Sequence, residues 1–455
     1  MIISFSVENF KSFNDMQKFS MVANDEINSH PTHSFGEDVA ILRNAAIFGA
    51  NGSGKTNLID AMKMTQVIIF DEVPNEARRM FCRTFPENEN RATKFEFELL
   101  KNNKFYAYGF NINLKKKKIL SEWIYQLYPN DGSQEMLFER ELTGERVELG
   151  ECLELSKKEQ QSFETYKSDF GLKYDKLFLQ EMNRNKNYDN TPAFMFFQEI
   201  YQWFYHDLTI IYPDDSAIDA QRFHDELDIQ KTNDLIRLFD TGINEVNWVE
   251  ISRADFENRI PIKVAADILD NLENSFYGND NNPVRFSLRG GTDIFSLEKN
   301  TWDDLKIKIL EFKHYGSESV YEISEESDGT RRLFELFEVI LQKKENKVFI
   351  FDEINRSLHT NLLIRFLELF SESLSKQSIQ LIFTTHDTRV LDERLLRRDE
   401  IWFVNRTAKN ISKIYSLDEF KEIHSELPKD SYLLGRYGAI PLLKMEANSN
   451  VGRCI

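Results

Sequence analysis

Between Ala45 and Asp60 the chain reads AAIFGANGSGKTNLID, and Gly49, Gly54, Lys55 and Thr56 fall in the spacing G-x-x-x-x-G-K-[ST]. The chemistry of that spacing is phosphate binding. Glycines let backbone N–H groups turn inward around a phosphate chain, where a side chain would collide. A helix beginning at Lys55 adds free N–H groups and the positive end of its dipole. Lys55 supplies a compact cation for the β- and γ-phosphates, and the Thr56 hydroxyl is a ligand for Mg²⁺. Asn51, Gly52 and Asn57 complete the loop and first helical turn, and are expected to line the nucleotide.

A second chemical segment is Lys347-Val-Phe-Ile-Phe-Asp352-Glu353, an apolar run ending in two acids. Ligands of open α/β sheets sit beyond the carboxyl ends of the strands. Asp352 is therefore placed to hold Mg²⁺, and Glu353 to orient or deprotonate an attacking water. Taken alone, such a strand end is simply a solvated one; the phosphate loop in the same chain favours function. Leu381-Ile-Phe-Thr-Thr-His386-Asp387 is a further strand, ending in a His that can contact a γ-phosphate or serve structure only. Ser327-Asp328-Gly329-Thr330 precedes a helix-compatible run. It reads equally as a plain N-cap or as a second anion site built from Ser327 and Gly329.

These residues need strands and helices to hold them. Ala45–Phe48 reads as a buried strand before the loop, and the helix from Lys55 should reach about Asp71, ahead of Pro74. Ile2–Val7 and Lys18–Val22 read as strands. Thr93–Leu99, Phe105–Ile112 and Ile119–Leu127 read as antiparallel strands, extended by Met136–Arg140 and Arg146–Leu149. Lys115–Lys118 is a basic run at a hairpin turn. From Leu153 to about Glu273 the pattern is helical, followed by a polar loop over Asn274–Pro283. Lys306–His314 and Val320–Glu326 read as strands. Val348–Phe351, Ile379–Thr384, Glu400–Val404 and Ile411–Ser416 are strands of α/β grammar, with a helix over Asn361–Leu374 between the first two. Asp214, Asp215 and Asp219 read as a loop and helix cap.

The expected organisation is therefore residues 1–150 as the N-terminal part of a nucleotide-binding core and 151–300 as a mainly helical insertion. Residues 301–445 complete the core, and 446–455 form a loose tail. A length of 455 residues fits two or three domains or lobes. The formal charge of −18 argues against coating nucleic acid over the whole surface, while leaving room for a local basic groove. Cys82, Cys152 and Cys454 are widely spaced and form no metal pattern. With no apolar run near membrane length and no signal-like start, the expectation is a cytoplasmic protein without membrane attachment.

The order of phosphate loop, long insertion, S-x-G-[QT], strand ending in Asp-Glu and strand ending in His resembles the ABC-type ATPases of the SMC, RecF and OLD branch. The opening FSVENFKSF is similar to the first strand and N-F-[KR]-S-F segment of that branch. Ser431-Tyr-Leu-Leu-Gly-Arg-Tyr-Gly-Ala-Ile-Pro441 looks like the RloA-type members, which accompany bacterial abortive-infection or restriction loci. The segment Asn355-Arg-Ser-Leu-His359 departs from the usual Leu-Asp after the catalytic acid.

The resemblance implies an ABC/SMC-head-like α/β P-loop fold with an antiparallel β subdomain and a helical insertion. It implies ATP and Mg²⁺ as cofactors and an ATP-sandwich dimer or higher oligomer. Within it, Glu353, His386 and Lys55 would be catalytic and Thr56 and Asp352 would hold the metal. Ser327 and Gly329 would cap the nucleotide in trans. It further implies a regulatory role in anti-phage defence, with a separately encoded effector nuclease and a nucleic-acid or phage-derived trigger. Alternatives are a RecF-like ATP-dependent DNA-binding repair protein and a non-hydrolysing nucleotide-gated scaffold.

Overall fold

In the computed structural model, residues 1–27, 29–35, 39–184, 188, 191–215, 226–278, 284–290, 293–301, 304–373, 378–420 and 428–440 are described. The chain divides into two compact units. The first comprises Met1–Pro213, Lys344–Ile354 and Leu374–Ile455, and the second Asp214–Lys343 and Asn355–Ser373.

Within the first unit a six-stranded sheet carries the phosphate loop. Its order is Leu208–Ile211, Lys347–Phe351, Ile379–Thr384, Asn44–Phe48, Ile401–Arg406 and Ser412–Ser416. The first five strands run parallel, and the last returns antiparallel. Asn44–Phe48 is buried at every position, as a central parallel strand covered on both faces should be. All parallel strands end on one edge, so the residues that follow them converge there.

The second sheet of this unit is antiparallel and seven-stranded. Its order is Arg146–Leu149, Ser133–Glu141, Lys118–Tyr128, Lys104–Asn113, Thr93–Lys101, Ile2–Glu8 and Gln17–Ser20. Alternation sets its register: Thr93, Phe95, Phe97 and Leu99 are buried while their neighbours are half-buried. Asn102 and Asn103 take positive φ in the tight turn to the next strand, as a two-residue hairpin requires. The helix Lys55–Phe70 contributes Leu58, Ile59, Met62 and Ile69 to a core shared with Phe5, Phe97 and Trp203. A fully buried ion pair, Glu122 with Arg140 at 2.8 Å, braces the sheet. Glu122 accepts from Phe178 N and Leu179 N at the start of the helix Phe178–Asn183, and Arg140 donates to the Lys176 carbonyl.

The second unit holds an antiparallel sheet in the order Ile243–Ile251, Asp304–His314, Asp293–Thr301, Val284–Gly290, with Val320–Glu322 also paired to Asp304–His314. Helices Arg253–Arg259 and Ile262–Gly278 pack on it through Phe256, Leu269 and Leu272. The helix Asp328–Ile340 is amphipathic and buries Leu333, Phe334, Leu336 and Phe337.

Residues 151–300, expected to be mainly helical, also contain strands. Leu208–Ile211 joins the loop-bearing sheet, and Ile243–Ile251, Val284–Gly290 and Asp293–Thr301 build the second unit's sheet. Charged residues concealed one of them: Glu298 and Lys299 are buried in Asp293–Thr301, breaking the apolar alternation. The polar loop expected over Asn274–Pro283 is helical as far as Gly278, because buried Phe276 continues the stripe of Leu269 and Leu272. Residues 279–283, Asp219 and the tail 446–455 lie outside the described residues.

Candidate functional site

Asn44–Phe48 delivers the chain to Gly49 at the convergent edge of the parallel sheet. A Cβ on Gly49 would collide with the Val404 carbonyl and stand 2.6 Å from Ser53 Oγ. Gly54, at φ 115°, occupies the left-handed region, and a Cβ there would strike the Ser412 and Ser12 hydroxyls. Both positions therefore demand glycine. Helix Lys55–Phe70 starts directly after Gly54 and has no acidic residue in its first turn, so its N-terminus is free to face an anion.

Lys55 is 5 % exposed, and its Nζ donates to the Gly49 and Ala50 carbonyls at 2.8 and 3.2 Å. Burial lowers its pKa to about 8, against the opposing pull of Asp352 and Glu353. Lys55 Nζ also stands 3.4 Å from His386 Nδ1, 331 residues away in the chain. Burial first, and then Lys55, lower the pKa of His386. A neutral His386 that accepts at Nδ1 carries its proton on Nε2, which lies 3.8 Å from Glu353 Oε1.

Thr56 Oγ1 donates to Asp352 Oδ2 at 2.9 Å, across 296 residues. Burial raises the pKa of Asp352, partly offset by its hydrogen bonds from Thr384 and Thr56. A carboxylate held in this way is relieved by a cation, and a hydroxyl beside a carboxylate is an oxygen donor set of the kind Mg²⁺ takes. Among the described residues no group of three or more His, Cys, Asp or Glu could hold a metal. The Thr56–Asp352 pair suits an ion that draws its other ligands from phosphate and water.

Glu353 follows Asp352 with φ 48°, a left-handed turn that carries its side chain away from the strand line. Thr384, which the sequence reading left without a role, holds this turn. Its hydroxyl donates to Asp352 Oδ1 at 2.6 Å and accepts from Glu353 N at 2.7 Å. Its carbonyl accepts from Ile354 N at 3.1 Å. Arg406 is a second residue that sequence reasoning missed; it donates to the Gly52 carbonyl at 3.0 Å. Asn57 donates to Ser12 Oγ, tying the first helical turn to the Asn9–Phe13 segment.

Gly49, Asn51, Gly52, Gly54, Lys55, Thr56, Asn57, Glu353 and His386 line one cavity of about 1340 Å³. Tyr432, Leu433 and Ile440 form its apolar wall. The loop, Asp352 and His386 thus meet in the first unit. Ser327 and Gly329 belong to the second unit, where Ser327 caps the helix Asp328–Ile340 by accepting from Thr330 N at 3.1 Å. A Cβ on Gly329 would lie 2.7 Å from the Ser357 carbonyl. Asp214 pairs with Arg356 at 2.7 Å in the same unit.

Residues 45–392 match the family model described as "AAA domain, putative AbiEii toxin, Type IV TA system". No curated protein matches the chain significantly. Solved structures with similarity include the SMC head domain from Thermotoga maritima, at 12 % identity and TM-score 0.35, covering 91 % of this chain and 98 % of that one. An SmcHead bound to the C-winged helix domain of ScpA matches at 16 % identity and TM-score 0.34, covering 91 % of this chain and 97 % of that one. An Smc head with an extended coiled coil, bound to the C-terminal domain of ScpA derived from Pyrococcus furiosus, matches at 15 % identity and TM-score 0.31, covering 96 % and 99 %.

Proposed function

The chain belongs to the AAA-domain family whose model spans residues 45–392, and from that premise we propose that it binds Mg²⁺–ATP and hydrolyses it to ADP and phosphate. One observation carries this reading. The contacts Thr56–Asp352–Thr384–Glu353 set a hydroxyl, a buried carboxylate and a half-exposed carboxylate in sequence at the mouth of the phosphate loop.

In this reading the loop amides from Gly49 to Asn57 cradle the phosphates, and Lys55 neutralises charge at the β/γ bridge. Thr56 and Asp352 would hold Mg²⁺, which would supply positive charge for the phosphate oxygens. Glu353 orients the attacking water and takes its proton. His386, neutral near pH 7, presents Nε2–H toward the γ-phosphate. Catalysis is then positioning plus charge stabilisation, as phosphoryl transfer requires.

Ser327 and Gly329 offer a hydroxyl and helix-terminal N–H groups to nucleotide held by a second copy of the chain, making ATP a clamp between protomers. Closure follows differential binding of ATP to the closed pair. We further propose a regulatory role in an anti-phage system, in the cytoplasm, with a separately encoded effector nuclease and a nucleic-acid or phage-derived trigger; the toxin–antitoxin wording of the matched family supports the defence association. Among the described residues no helix is long and apolar enough to cross a membrane.

The test is ATP turnover and nucleotide binding for wild type, Lys55→Ala and Glu353→Gln. Lys55→Ala should lose nucleotide. Glu353→Gln should bind ATP normally, turn over about 100-fold more slowly and accumulate as an ATP-bound dimer. Near wild-type turnover in Glu353→Gln removes the role given to Glu353. Absence of turnover in wild type removes the enzymatic reading itself.

A further inference from the structure

Beside the loop lies a second cavity, of about 710 Å³, with a different chemistry. Lys11, Arg79, Arg83, Arg406 and Lys409 line it, and no acidic residue does. This concentration of cations sits in a chain whose formal charge is −18. Lys11 pairs with Asp60 at 2.5 Å. Among the described residues Arg79, Arg83, Arg406 and Lys409 make no ion pair, and all four are exposed. Like charges gathered without counter-charge repel one another unless an anion lies between them.

The cavity is built on a braced frame. Asn9 Nδ2 donates to the Asn88 carbonyl at 3.0 Å, and Asn9 Oδ1 accepts from Cys82 N at 3.2 Å. Asn88 in turn donates to the Cys82 carbonyl at 2.9 Å, and Lys11 N donates to the Met80 carbonyl at 2.6 Å. This fixes the backbone that carries Lys11, Arg79 and Arg83. The opposite wall is a turn closed by Thr407 N to the Ile411 carbonyl at 2.8 Å, which carries Lys409. Ser412 N joins the two walls by donating to the Ser12 carbonyl at 2.8 Å. The half-buried ring of Phe81 supplies a face on which a base can stack. Asn57 and Arg406 line both cavities, so the second is continuous with the phosphate loop.

We infer that this cavity is a second phosphate site, distinct from the one that holds the hydrolysed nucleotide. It takes phosphate groups carried on nucleosides, supplied either by a single-stranded oligonucleotide or by a free mononucleotide. Arg406, which also bonds the Gly52 carbonyl, links its occupancy to the loop. The inference holds whether or not the first cavity hydrolyses ATP.

The test is fluorescence anisotropy of a labelled single-stranded oligodeoxynucleotide with the full chain, while a non-hydrolysable ATP analogue saturates the loop. AMP and inorganic phosphate serve as competitors. Wild type should bind with a salt slope of about −0.7 per phosphate engaged. Arg79→Glu/Arg83→Glu and, separately, Lys409→Glu should weaken binding at least tenfold. Lys157→Glu/Lys158→Glu, an equal charge change at the exposed start of the helix Lys157–Phe170, should leave it within twofold. Unchanged thermal melting and ATP-analogue affinity verify that each variant is folded. Competition by AMP or phosphate assigns the site to free phosphate esters, and its absence assigns it to the polymer. Displacement of the probe by the analogue that is lost in Lys55→Ala, and so runs through the loop, overturns the inference, as does an equal loss in the Lys157/Lys158 variant. Failure of wild type to bind the oligonucleotide, AMP or phosphate also overturns it.

Discussion

Thr384 Oγ1 lies 2.6 Å from Asp352 Oδ1 and simultaneously accepts the amide hydrogen of Glu353. One hydroxyl therefore aims both acids of the site. Thr384→Val keeps the shape and removes both bonds. It leaves a buried carboxylate oxygen and an amide without this partner, a loss of about 1–3 kcal/mol. Turnover should fall about 10- to 100-fold, with ATP affinity within about threefold, while Thr384→Ser restores most of the rate. Steady-state kinetics beside nucleotide titration separate the two effects.

Gly54→Ala should abolish nucleotide binding. At φ 115° an alanine is strained, and its methyl would meet the Ser412 and Ser12 hydroxyls. Gly52→Ala is a graded control: φ is 75° there, but a Cβ meets nothing within 4 Å. Titration with a fluorescent ATP analogue should rank wild type above Gly52→Ala, and both above Gly54→Ala.

Glu400 gives a pH dependence. It is fully buried below the loop strand, accepting from Arg397 N and Asn44 N, and burial raises its pKa from 4.5 to about 8. The folded state thus holds a proton that the unfolded state releases near pH 4.5. Stability from this group is complete below about pH 4.5 and is lost as pH rises through about 8. The slope is about 1.4 kcal/mol for each pH step within that window. Thermal melts from pH 5 to 9 should show a steeper decline in wild type than in Glu400→Gln. Parallel curves would refute the assignment.

The Glu122–Arg140 pair yields a stability prediction. Both side chains are wholly buried, so removing one leaves the other without its counter-charge. Arg140→Met should cost about 3–5 kcal/mol, read as a shift in the urea midpoint. Replacing both together with apolar residues should cost less than replacing either alone.

Much of the site was legible because its signals are local. Gly49 through Thr56 is a contiguous pattern, and Asp352 and Glu353 end an apolar run that only a buried strand explains. Thr384 was not legible. Its role arises from the parallel register that pairs Phe351 with Phe383, which sets the next residues, Asp352 and Thr384, side by side. Ser327 shows the limit in another direction. Its spacing suggested an anion site, and within the chain its hydroxyl is engaged with Thr330. The basic cavity also escaped the sequence reading, since Lys11, Arg79, Arg83 and Lys409 come from three separate stretches and only the sheet order unites them.

The strand Asn44–Phe48 has as its two neighbours Ile379–Thr384 and Ile401–Arg406, both made more than three hundred residues later. During synthesis this strand leaves the ribosome with both edges bare and waits for nearly the whole chain before either is covered. Translation halted anywhere before Ile379 therefore yields no weakened enzyme but an exposed, sticky ribbon, a target for chaperones and proteases.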